Sequence, residues 1–90
     1  MMGPLPLGRV VVTPGALQVL AEAGEDPLSY LARHASGNWG DLDTNDWREN
    51  ERSLKHGWRV LSSYPIGEQT IWVITESDRS VTTILLPEEY

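Results

Sequence analysis

The sequence predicts an α+β domain, with two or three short N-terminal helices packed on a C-terminal three- to four-stranded antiparallel β-meander. Three observations carry this expectation. A capping residue followed by proline occurs twice early in the chain, at Thr13-Pro14 and Asp26-Pro27, which is how helices commonly begin. Glycine then closes each apolar repeat, at Gly24, Gly37 and Gly57. After Gly57 the hydrophobic spacing changes from helical to alternating, the pattern of strands.

Residues 1–8 contain Gly3, Pro4, Pro6 and Gly8 and are expected to be a flexible N-terminus, leaving 9–90 as one domain. Arg9–Val12 is a β-branched run suited to a strand at a sheet edge. Leu17, Leu20 and Ala21 fall on one stripe of a first helix, and Leu28, Leu31, Ala32 and Ala35 on one stripe of a second. The tight Gly24-Glu25 link makes the two an αα-hairpin. Asp43 suits the N-cap of a third helix, with Leu42 and Trp47 placed as a hydrophobic staple. Trp47 and Leu54 are its only apolar residues, so it is expected to be the most exposed of the three.

Trp58–Tyr64, Thr70–Thr75 and Val81–Leu86 read as strands, separated by turns at Pro65–Gln69 and Glu76–Ser80. Ile71 and Val73 share one face of the middle strand and Trp72 and Ile74 the other, which makes it central. Trp58 and Trp72 are expected in the core. Val81–Leu86 is expected to be an exposed edge, where a second copy would extend the sheet into a homodimer.

Composition narrows the function. At 90 residues one modest core must suffice. There is no cysteine, which excludes disulfides, zinc–thiolate centres and thiol nucleophiles and fits a reducing cytoplasm. The N-terminus lacks a secretory pattern, and no apolar run approaches the ~20 residues of a membrane span. Seven cations against 13 acids leave a net charge of −6. That opposes direct contact with nucleic acid and points to a basic protein, or a nucleic-acid-binding complex, as partner.

Candidate chemistry is sparse. His34 and His56 each sit near a helix end, where imidazole would meet solvent, and they lack the spacing of a metal-binding pair. Asp41-Leu42-Asp43-Thr44-Asn45 begins like a calcium loop, but Asp46 replaces the sixth-position glycine and Arg52 the twelfth-position glutamate. No nucleophile elbow or phosphate loop is present, and Asp78-Arg79-Ser80 reads as a polar turn. No catalytic residue, metal or cofactor is therefore predicted. The candidate binding residues are Trp39, Asp41, Asp43, Asp46, Trp47, Glu49 and Glu51, because tryptophan flanked by charge is enriched at interface hot spots. Five of them also have a plainer use: Asp43 and Asp46 at a helix N-terminus, Glu51 paired with Lys55, and the two tryptophans packed together.

The stretches HASGNWGDLDTNDWRENERSL and WVITESDRSVTTILLPEEY resemble a family of small bacterial proteins carried on plasmids and other mobile elements. The similarity covers Arg9 to Tyr90, with Ile74–Tyr90 its most specific part. It implies a bacterial or phage setting and transfers no activity or site residue. In that setting the acidic segment suggests a non-enzymatic inhibitor of a host defence complex, of CRISPR or restriction type, that mimics phosphate charge. The alternative is a ribosome-dependent mRNA-cleaving toxin-like protein, or an inactive relative, using Arg59, Arg79, His56 and Tyr90.

Overall fold

In the computed structural model, which describes residues 4–90, the three helices start at the caps that the sequence predicts. They are α1 (Pro14–Ala23), α2 (Pro27–Ala35) and α3 (Thr44–His56). The Thr13 hydroxyl accepts from the Ala16 amide at 3.3 Å, Asp26 from Leu28 at 2.9 Å, and Asp43 from Asp46 at 2.8 Å. Each bond satisfies one of the amides a helix start leaves unpaired. No helix among the described residues is long and apolar enough to cross a membrane.

The strands are β1 (Arg9–Val12), β2 (Val60–Ile66), β3 (Gln69–Thr75) and β4 (Val81–Leu85), followed by a 3-10 turn at Pro87–Glu89. β2, β3 and β4 form the expected antiparallel meander. β1 corrects the rest of the expectation. It lies parallel to β4 in the order β1-β4-β3-β2, so the sheet is mixed and the helices fall between its first strand and the other three. A parallel pair cannot be closed by a hairpin and needs a long crossover, which α1 to α3 help to supply. Val81–Leu85 is consequently an interior strand, and the edges of the sheet are β1 and β2.

One face of the sheet presents Tyr64, Ile71, Val73 and Ile84 to Ala16, Val19 and Leu20 of α1 and to Tyr30 and Leu31 of α2. The stripes differ from those read in sequence. Leu17 and Leu28 are 55% and 68% exposed, while Tyr30 and His34 go inward. A second cluster lies beneath α3, where Trp39, Val60 and Leu5 are buried against Leu7, Leu42, Trp47 and Leu54. Of the segment 1–8 expected to be flexible, residues 1–3 lie outside the described residues. Leu5 is buried, with its amide bonded to the Ala35 carbonyl at 2.9 Å, and Leu7 is packed. Trp58, expected in the core, is 49% exposed, because the strand begins only at Val60.

The last residues are tied down too. The Glu89 carboxylate accepts from the Thr13 hydroxyl at 2.5 Å and from the amides of Gly15 and Leu86 at 3.1 and 2.8 Å. These bonds, the Thr13 hydroxyl foremost, hold its carboxyl below the usual range. Glu89 thus joins the C-terminal turn to the start of α1, and Tyr90 meets the Trp72 ring edge-on at 5.8 Å.

The β2 edge is closed by borrowed groups. The Asn50 side chain of α3 donates to the Leu61 carbonyl at 2.5 Å and accepts from its amide at 3.1 Å, as a neighbouring strand would. Two residues on, the Ser63 amide bonds the Trp39 carbonyl at 3.0 Å and its carbonyl accepts from Asp41 at 2.6 Å. Gly40 lies between them with φ 79°, and a Cβ there would collide with the Ser63 oxygen. The next outward position is Pro65, which has no N–H to offer. Replacing Asn50 with Ala is expected to cost about 2 kcal/mol, since it orphans a buried donor and acceptor at once. Asn50→Asp keeps the acceptor but turns a carboxylate oxygen on the Leu61 carbonyl, so it is expected to do no better. Urea midpoints of the two variants test this.

Candidate functional site

The seven residues singled out in sequence do not form one surface. Trp39 is 0% exposed, and its indole N–H donates to the Glu51 carboxylate at 3.2 Å. Trp47 is half-buried in the same cluster. Glu49 is exposed and paired with Arg52 at 2.5 Å. Asp43 caps α3, and Asp41 and Asp46 are exposed with no ion pair among the described residues. What remains as free acidic surface is Asp41, Asp43 and Asp46, at the N-terminal end of α3, where the helix dipole favours negative charge.

The remainder of α3 is sorted differently from its sequence. Asn50 and Ser53 face inward with Trp47 and Leu54 at their flanks. Arg48, Arg52 and Lys55 then fall at i, i+4 and i+7, which places them together on the solvent side. A shallow open hollow lined by Glu51, Arg52, Leu54 and Lys55 runs along this side. The helix is therefore acidic at its start and basic along its outer stripe.

His34, expected to meet solvent near a helix end, is instead a core residue. It is fully buried, with Nδ1 2.5 Å from Ser62 Oγ and Nε2 2.9 Å from Thr75 Oγ1. Thr75 Oγ1 lies 2.7 Å from Thr82 Oγ1, which donates to the Leu7 carbonyl at 2.7 Å. A carbonyl only accepts, and that fixes the protons back to His34 Nε2, while burial keeps Nδ1 unprotonated. Thr82 donates to Leu7, Thr75 to Thr82, His34 Nε2–H to Thr75, and Ser62 to His34 Nδ1. His34 is thus the neutral Nε2–H tautomer. Burial first, and the Arg79 charge second, push its pKa down to about 4. One sequence signal pointed here, because His34 lies one turn from Tyr30 and Leu31 on the face that they bury.

A serine at hydrogen-bond distance from an imidazole has the geometry of an activated nucleophile. Ser62 and His34 are each 0% exposed, however, with Trp39 edge-on to the His34 ring at 5.7 Å. Substrate has no approach to the hydroxyl. The arrangement works as a satisfied polar seam in the core, and every buried side-chain nitrogen and oxygen among the described residues has a partner.

Arg79 is also structural. Its guanidinium donates to the carbonyls of Trp58 at 2.6 Å, Ser53 at 3.1 Å and Glu76 at 3.2 Å. It clamps the end of α3, the approach to β2 and the β3–β4 turn together, from a left-handed backbone at φ 62°. Arg79→Ala is expected to cost about 2 kcal/mol in lost charged hydrogen bonds. Arg79→Gly is expected to cost about half as much, because glycine relieves the left-handed strain that alanine retains. Chemical denaturation of both variants gives the order directly.

Nearby, Arg59 bonds the Tyr90 hydroxyl and pairs with Glu76 at 3.5 Å, while His56 stacks on Trp58 at 4.7 Å. No group of three or more His, Cys, Asp or Glu placed to hold a metal ion occurs among the described residues. Comparison with models of known protein families, with curated proteins and with solved structures returned no match.

Proposed function

We propose that this is a small non-enzymatic binding protein that uses the acidic N-terminal end of α3 to engage a cationic partner, a basic protein or nucleic-acid-binding complex. The observation that carries the reading is the trio Asp41, Asp43 and Asp46, exposed together and outside the ion pairs of the described residues. With a net charge of −6 behind it, this end presents closely spaced negative charge as a phosphate backbone does. The family resemblance supports a mobile-element setting, and in that setting the partner is a host defence complex that the protein inhibits. Trp39 and Glu51, which the fold uses internally, drop out of the binding face.

The test is affinity capture from a bacterial lysate with a salt-gradient elution. The wild type is expected to retain one stoichiometric basic partner that salt releases. The triple variant Asp41→Asn, Asp43→Asn, Asp46→Asn is expected to lose it, and asparagine preserves the α3 cap. Arg48→Ala is expected to retain it. Equal retention by the triple variant would remove the acidic end from the mechanism.

The mRNA-cleaving alternative needs Arg59, Arg79, His56 and Tyr90 free to act on one phosphate. The Arg79 guanidinium is spent on three main-chain carbonyls, and Arg59 is held by Glu76 and Tyr90. Expression of the chain in growing cells is accordingly expected to leave growth unchanged.

A further inference from the structure

The two edges of the sheet are treated oppositely. β2 is closed by Asn50, by residues 39–41 and by Pro65. On β1, the Arg9 and Thr13 amides bond the Ser80 and Ile84 carbonyls at 2.9 and 3.0 Å. The main-chain groups of residues 9, 11 and 13 therefore face β4, and those of Val10 and Val12 face outward. No loop or side chain among the described residues bonds the outward groups. Val10 and Val11 are 41% and 40% exposed, and the run Val10-Val11-Val12 carries none of the charge that natural edges use against pairing.

We propose that β1 pairs antiparallel with β1 of a second copy, about a twofold axis at Val11, joining the two four-stranded sheets edge to edge. The register follows from the backbone. Setting Val10 opposite Val12 of the second copy, and Val12 opposite its Val10, aligns all outward N–H and C=O groups in two hydrogen-bonded pairs. A shift by two residues in either direction keeps only one valine pair. The same register brings Val11 against Val11 on the face away from α1 and α2.

Charge selects a second copy as the occupant. In this register Arg9 lies opposite Thr13 of the other copy and on the same face of the sheet. The Thr13 hydroxyl holds the exposed Glu89 carboxylate at 2.5 Å. Each copy thus brings its one β1 cation to a carboxylate that the other copy has already fixed, twice over by symmetry. This inference is independent of the acidic end of α3.

The experiment is sedimentation velocity of the full chain across a concentration series, on the wild type, Val11→Lys and Arg9→Glu. The wild type is expected to pass from monomer to dimer as concentration rises. Val11→Lys sets two ammonium groups directly opposite one another and is expected to remain monomeric throughout. Arg9→Glu is expected to weaken the dimer roughly tenfold, with a lost attraction and a new repulsion at two symmetric sites. Both positions are exposed, so circular dichroism of the dilute monomers is expected to match the wild type. A wild type that stays monomeric at every concentration overturns the proposal. A dimer that survives Val11→Lys overturns it equally, since it would use another surface.

Discussion

Titration from about pH 7 to about pH 5 is expected to lower the unfolding free energy by about 2 kcal/mol, reaching about 3 kcal/mol near pH 4. The source is His34. In the unfolded chain an imidazole titrates at its ordinary value of about 6.5, whereas in the native state it is held to about 4. Between those values the unfolded chain takes up a proton that the native state refuses. Stability is therefore full above the unfolded value, falls with pH through the window, and levels off once the native imidazole also protonates. The structural cause is burial first, since a charge on the ring would sit fully out of water, and the Arg79 charge second.

The carboxylates do not imitate this effect. Asp78 and Glu89 are held below the usual range, chiefly by the Ser80 and Thr13 hydroxyls. Their contribution is present above the normal carboxylate value and is lost only at more acid pH. Urea denaturation at several pH values is the measurement, with His34→Gln as the decisive variant. That protein is expected to be less stable at neutrality, because one amide cannot span both Ser62 and Thr75. Its stability is also expected to be flat between about pH 6.5 and pH 5. A slope that persists in His34→Gln would show that the proton goes elsewhere.

Trp39→Ala is expected to cost about 4 kcal/mol, a large part of the roughly 5–13 kcal/mol that a chain of this size holds. The indole is fully buried, fills the cluster with Leu5 and Val60, and lies edge-on to His34. Its removal opens a cavity under α3 beside a polar seam that depends on dry surroundings. Trp58→Ala is the contrast, since that ring is half exposed and rests on His56. It is expected to cost less than about 1 kcal/mol. Thermal unfolding of the two variants distinguishes them at once, and comparable losses would refute the placement of the second cluster.

Local signals were legible, and long-range ones were not. Thr13, Asp26 and Asp43 cap their helices through bonds spanning two or three residues, so sequence alone locates them. The meander is legible for the same reason, since its strands are neighbours in the chain. β1 was readable as a strand but not as a parallel one, because its partner lies at the opposite end of the sequence. Trp39 sits in a Gly/Asn loop, where the sequence allows either a binding face or packing with Trp47, and it packs in the cluster with Trp47. It is buried because that loop bonds Ser63, a contact no local pattern encodes. His34 follows the same logic: a polar residue on an apolar stripe becomes intelligible only when Ser62 and Thr75 arrive from two distant strands. Of the acidic segment, Asp43 and Asp46 stand at the start of α3 as their positions suggest, whereas Glu51 is drawn to an indole that sequence could not place.

The parallel pairing of β1 with β4 also governs how the chain is made. During vectorial synthesis β1 leaves the ribosome before α1, α2 and α3, and its partner β4 follows after residues 13–80. Until then a run of three valines has no ladder to join. α1 and α2 can form early from their own caps, but the polar seam stays incomplete until Thr82 emerges with β4 to meet Thr75 and Leu7. Closure of the β1 side of the sheet thus cannot precede the emergence of β4. A chain truncated just before Val81 would keep the three helix caps and the β2–β3 pair, with its first strand still unmatched.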